Sequence, residues 1–227
     1  MKHSPRLKEI RLDGVYHITS GDYSKVSLIP GVRLIITASR NTVAQHFVLG
    51  SANYVSITTS AAFNPSTSPF LRLTLPQDIS CFRNLNDLTV VHLKLIDTGE
   101  DPYENTDRNV IVILRCFTAD RETLYIEVKY ALSSLWSPHT LEMEIIPERP
   151  PAMRALNYLH PLDLSKVVEL KMEGFVGEWG LRSFELCHFL QYMPALRRMV
   201  TGDDNKEVFW LALSAMGRSA SAIVEGV

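Results

Sequence analysis

The chain holds little of what usually reveals chemistry. Its three cysteines, Cys81, Cys116 and Cys187, lie far apart and form no Cys-x-x-Cys. That argues against a disulfide framework and for buried thiols in a reduced compartment. There is no basic surplus: 23 Lys and Arg face 25 Asp and Glu, for a formal net charge of −2. A nucleic-acid binder is therefore not expected. The longest strictly aliphatic run is VIVIL, Val110 to Leu114, far below the roughly 20 apolar residues of a membrane span. The opening MKHSPRLKEIRLDG lacks the apolar stretch of a signal peptide. Cytoplasm or nucleus is the expected location, with no membrane as a partner.

Catalytic and cofactor motifs are missing as well. The glycines at 174, 177 and 180 in GFVGEWG have neither the Gly-Lys-Ser/Thr of a P-loop nor dinucleotide-fingerprint spacing. They read as a flexible turn. Cys187 adjoins His188, but no His-x-x-x-His accompanies them, so a zinc site has no spacing to rest on. Gly-x-Ser-x-Gly does not occur. The residues thus name no catalytic, cofactor-binding or metal-ligating position. Trp136, Trp179 and Trp210 are candidate anchors for a partner, but core or rim packing accounts for them more simply.

What the chain does have is ordinary globular composition, with 46% hydrophobic and 21% charged residues, and a repeat. Leu164, Val167, Leu170 and Met172 match Met193, Leu196, Met199 and Thr201 at an offset of 29 residues. Leu135, Pro138, Leu141 and Met143 precede the first set by the same interval. Weaker matches are Ser4, Leu7, Ile10 and Leu12; then Ile29, Val32, Ile35 and Thr37; then Phe82, Leu85, Leu88 and Val90. The end of each set is the L-x-x-L-x-L of a leucine-rich repeat, a short strand entered by a turn. Alternate side chains of such a strand point into a core that only stacked units can bury.

Between these strands the chain should return as helix. SFELCHFLQYM places Leu186, Phe189, Leu190 and Met193 on one helical face, and DDNKEVFWLALSAM does the same with Val208, Leu211, Ala212 and Ala215. Asp204 with Glu207 reads as a capping box. YVSIT, FLRLTL, LTVVHLKL and LYIEVKY alternate like strands. RNVIVILRCF, residues 108–117, is rich in β-branched residues, yet its place before LYIEV favours the helix of a repeat. NPSTSP and DTGEDPYENTD read as loops, and PERPP as a stiff turn. The expected fold is α/β: one leucine-rich-repeat-like solenoid over residues 1–227, most regular from 135 to 216, with irregular repeats of about 25–29 residues, a mostly parallel sheet and outer helices.

The ordered pattern VVELKMEGF, LCHFLQYMPALRRMV and DNKEVFWLALS, with LKEIRLDGVYHIT and SLIPGVRLIIT at the start, resembles the repeat region of F-box proteins from mushroom-forming fungi. The resemblance implies a non-catalytic module that recognises a protein substrate for a ubiquitin ligase. It also implies docking on a Skp1-type adaptor, but only through an F-box ahead of the repeats. None is seen: Leu75 to Ile79, LPQDI, echoes the opening of an F-box but continues as strand-like sequence.

The strand register predicts where a partner binds. Outward positions of stacked strands align on the open sheet face, so Glu142 is expected beside Lys171 and then Val200. Glu144 is expected beside Glu173, and Arg198 beside Glu169. Tyr125 and Glu127 are expected to extend the row. Such a mixed-charge strip recognises a partner by complementary charge. The rival reading is a small α/β hydrolase or transferase, which needs acid, base or nucleophile groups converging in a pocket.

Overall fold

A computed structural model describes residues 7–14, 26–27, 31–38, 47–48, 54–62, 87–98, 109–119, 121–131, 162–175, 183–202, 205–217 and 223–225. The strands are β1 (Glu9–Asp13), β2 (Val26–Ser27), β3 (Arg33–Ala38), β4 (Phe47–Val48), β5 (Tyr54–Ala62) and β6 (Val90–Asp97). They continue with β7 (Asn109–Thr118), β8 (Arg121–Ala131), β9 (Glu169–Glu173), β10 (Arg198–Thr201) and β11 (Ile223–Glu225). Helices α1 (Ser183–Leu190) and α2 (Lys206–Ala215) flank β10 in the sequence. The fold is mixed α/β on a nine-stranded sheet of order β1-β3-β5-β8-β7-β6-β9-β10-β11, while β2 and β4 pair separately. Every pairing in the large sheet is parallel except the two made by β7, which runs antiparallel to β6 and β8. Among the described residues no helix is long and apolar enough to cross a membrane.

The 29-residue repeat becomes the β9–β10 register: Glu169 lies opposite Arg198, Leu170 opposite Met199, and Lys171 opposite Val200. Leu164, Val167, Leu170, Met172, Met193, Met199 and Thr201 are all buried. The equivalent set on β6 sits three residues later than the spacing suggests. Val91 pairs with Leu170 and Leu93 with Met172, so Leu88, Val91 and Leu93 are the buried positions, and Val90 lies on the opposite face. On β3 the slip is one residue. Leu34 and Ile36 are buried against Ile10 and Leu12, whereas Ile35 pairs with Arg11 on the other face. A one-residue shift moves every side chain to the opposite side of a strand.

The segment expected to be helical, RNVIVILRCF, is strand β7. Val110, Val112, Leu114 and Cys116 enter the core, and Ile111, Ile113, Arg115 and Phe117 take the other side. Its four consecutive β-branched residues favour extended backbone. Apolar residues on both faces erase the alternation that would have marked it as strand. Thr118 pairs with Arg121, so β7 and β8 form a hairpin with a two-residue turn. Ala119 begins that turn at φ +51°, as tight hairpin turns require. β8, β7 and β6 therefore stand in reverse chain order, and simple successive stacking holds only in the two outer thirds of the sheet.

α1 buries Leu186, Phe189 and Leu190, and Met193 just beyond it is buried too, as the periodicity predicts. α2 is turned relative to its expected face. Phe209, Ala212 and Leu213 are buried while Leu211 is exposed. Its N-cap is Asn205, which makes no side-chain capping bond; Asp204 of the expected capping box lies outside the described residues. Both helices join the core cluster formed by the buried sheet face, and the Cys187 thiol donates to the Ala212 carbonyl between them, with sulfur and oxygen 3.3 Å apart. The Leu135 set, the strand-like FLRLTL, Ser4, Ile29, and both Phe82 and Leu85 of the Phe82 set lie outside the described residues.

Candidate functional site

One face of the sheet carries the apolar core, and the other carries most of its polar and charged side chains. The pairings run a row of side chains across it. Arg11, Ile35, Ser56, Tyr125, Arg115, His92, Lys171 and Val200 stand on eight successive strands from β1 to β10. Neighbours in such a row are about 4.8 Å apart. Within it, Arg115, His92 and Lys171 form a basic segment on three adjacent strands.

The flanking rows carry the acids. On one side stand Glu127, Ile113, Lys94 and Glu173; on the other, Phe117, Val90, Glu169 and Arg198. The bulge where β8 meets Phe117 decides the position of one more acid. Glu122 pairs with Phe117, Leu124 pairs with Cys116, and Thr123 is the extra residue between them. Strict alternation would send Glu122 to the core side; the bulge re-aims it onto the open face. There it accepts two hydrogen bonds from Arg115, at 3.1 Å from Nε and 3.0 Å from Nη2. The buried Thr123 hydroxyl donates to the Cys116 carbonyl, satisfying a group that the bulge would otherwise strand.

Charges on the face are tied together. Lys94 lies 3.2 Å from Glu173, which also pairs with Lys171, and Arg198 lies 3.3 Å from Glu169. The Lys171 hydrogen bond, helped by Lys94, holds the Glu173 carboxyl below its usual range. His92 stands 3.9 Å from Glu169 and packs on Phe117, with ring centroids 4.9 Å apart. Partial burial depresses its pKa first and Lys171 second, with a smaller contribution from Arg115, against the opposing pull of Glu169 and Glu173. Tyr125 donates to Glu127, and burial followed by that bond pushes its phenol above the ordinary value. An open groove of about 670 Å³ runs over this centre, lined in part by Tyr54, His92, Lys94, Arg115, Tyr125 and Lys171.

Seven of the nine residues expected on the face fall within the described chain. Glu169, Lys171, Glu173 and Arg198 occupy it together, with Arg198 opposite Glu169. Tyr125 and Glu127 occupy it too, but two strands, β7 and β6, separate β8 from β9. Val200 stands beside Lys171 as predicted yet is only 9% exposed, so it offers a partner little surface. Glu142 and Glu144 lie outside the described residues. Among the described residues, Lys171 has His92 of β6 on one side and Val200 of β10 on the other, and Glu173 has Lys94 of β6 beside it. His92, Lys94, Arg115, Glu122 and Tyr54 were missed. Placing Leu88, rather than Leu85, at the turn position of the L-x-x-L-x-L pattern would have found His92 and Lys94 as outward residues.

Ser56 and His92 stand three strands apart, about 14 Å at the usual strand spacing, too far to act as nucleophile and base. Among the described residues no group of three His, Cys, Asp or Glu could hold a metal ion. The chain matches no family model, no curated protein and no solved structure.

Proposed function

We propose that this chain is a non-catalytic protein-interaction module that presents the polar face of its sheet to a protein partner. In this reading it is built from leucine-rich-repeat-like α/β units and corresponds to the substrate-recognition part of an F-box-type ubiquitin-ligase receptor, or to a truncated relative. The observation that carries the docking reading is the unbroken polar run Ser56, Tyr125, Arg115, His92 and Lys171 across five adjacent strands, with its groove over Arg115, His92 and Lys171. Rigid sheet faces of repeat proteins are used this way. The 29-residue register of β9 and β10 supports the repeat part of the reading. The ligase connection rests on sequence resemblance, and adaptor docking belongs to it only with an F-box upstream.

The test is affinity capture from native extract, comparing the parent with an Arg115→Glu/Lys171→Glu variant shown to melt normally. A protein retained by the parent and lost by the variant supports the docking face. Identical retention by both removes the face from the account. Co-capture of a Skp1-type adaptor by a chain extended upstream bears on the ligase part separately.

A further inference from the structure

We propose that the groove accepts an acidic, amphipathic helical segment of the partner, laid across the strands with its carboxylates on Arg115, His92 and Lys171. This inference rests on the docking reading above. The basic residues occupy directly paired positions on β7, β6 and β9. At about 4.8 Å per strand they span about 9.6 Å. Along a helix, positions i, i+3 and i+7 rise about 4.5 and 10.5 Å, which matches that ladder. An extended segment crossing the strands would place like-facing residues roughly 6.8 Å apart and fall out of step.

The charge balance has the same sense. The groove lining includes Lys94, Arg115 and Lys171 against Glu122 and Glu173, so one cation is in excess before His92 is counted. Glu173 serves both Lys94 and Lys171, leaving donor capacity on the lysines. Beside the basic row, Ile96 pairs with Ile111, and Ile113 follows on the same face of β7; all three are half-buried. They form an apolar floor suited to the apolar stripe of the same helix. Apolar contact there accounts for affinity, and the charge row sets orientation.

His92 makes binding depend on pH. It faces Lys171, Glu169 and Glu173 from β9, Arg115 and Phe117 from β7, and Lys94 from its own strand. A docked carboxylate offsets Lys171 and Arg115 and favours the imidazolium. Binding therefore takes up a proton and strengthens on acidification toward pH 6.

The probe is a fluorescent helix-forming peptide with Glu at i, i+3 and i+7 beside a Leu stripe, compared with its Gln counterpart by anisotropy in low salt. The Glu peptide is expected to bind more tightly, and Lys171→Gln should weaken it by about fivefold, the upper end for an exposed charge pair. His92→Gln should flatten the dependence between pH 7.5 and 6. Both sites are half-buried on the open face, and matched melting curves establish that each variant folds. Equal binding of the Glu and Gln peptides, or no effect of Lys171→Gln, overturns the proposal. If the peptide fails while captured partners still depend on the face, the acidic-helix inference falls and the docking reading stands. If capture is independent of the face, both fall.

Discussion

Gly174 gives the sharpest test of the strand order. It follows β9 directly at φ +79°, and a Cβ built there would lie 1.8 Å from the Leu95 carbonyl oxygen and 2.9 Å from its carbon. The obstacle is backbone of β6, which cannot rotate away as a side chain can. An alanine at 174 carries the left-handed penalty, about 1–2 kcal/mol. It must also push the end of β9 off β6, loosening one or two ladder bonds at about 0.5–1.5 kcal/mol each and the packing of the fully buried Phe175. These terms total about 1.5–5 kcal/mol, and any exposure of Phe175 adds to them. At about 2 kcal/mol per molar of urea, the unfolding midpoint should drop by about 0.8–2.5 M. Gly217 is the internal control: φ is +64°, but nothing lies within 4 Å of its added Cβ. Gly217→Ala should therefore cost only the backbone term, about 1–2 kcal/mol. If the two variants unfold alike, Gly174 does not abut β6, and the β6–β9 pairing that brings His92 to Lys171 is wrong.

Leu170→Asp should cost several kcal/mol, because it sets an unpaired charge in the core at a fully buried site. Leu196→Asp should cost clearly less, since Leu196 is only partly buried; thermal melts of the pair check the ranking. Ala119→Gly should stabilise by about 0.5–1 kcal/mol, as it relieves φ +51° in the β7–β8 turn; a loss of stability in urea would argue against the hairpin. Cys116 is wholly buried, and burial pushes its thiol up. Peptide mapping after native iodoacetamide treatment should find it unmodified until urea unfolds the chain. Stability should fall on acidification in two stages. The depressed pKa of His92 means that the unfolded chain takes up this proton first, so its contribution is complete above the ordinary 6.5 and declines below it. Glu173, also depressed, contributes fully above its ordinary 4.5 and loses that contribution as its carboxylate protonates. Urea midpoints from pH 7.5 to 4 should show both, and His92→Gln should remove the first.

The parts of this fold legible in the sequence are those made by local repetition. The 29-residue spacing sets Arg198 opposite Glu169, and the helical period of SFELCHFL identifies the buried side of α1. Long-range order was not legible. Thr89 accepts from the Val168 amide, and Lys166 reaches Asp87, tying β6 to β9 across 79 residues. No spacing pattern shows that β6 is the neighbour of β9. β7 hid for a different reason: Ile111 and Ile113 put apolar residues on the face where alternation requires polar ones. Arg115 was lost with it. The bulge that turns Glu122 toward Arg115 arises from one unpaired residue, Thr123, which carries no signature of its own.

In the proposed function the polar sheet face, and not the helical side, meets the partner. Hydroxyl-radical footprinting of the captured complex tests it directly, because each side carries reporters. Tyr54 and Tyr125 line the groove; Phe184 and Trp210 are exposed on α1 and α2. Protection of Tyr54 and Tyr125, with Phe184 and Trp210 still oxidised as in the free chain, is the predicted result. Protection of Phe184 and Trp210 with the tyrosines unchanged would place the partner on the helices and contradict the account.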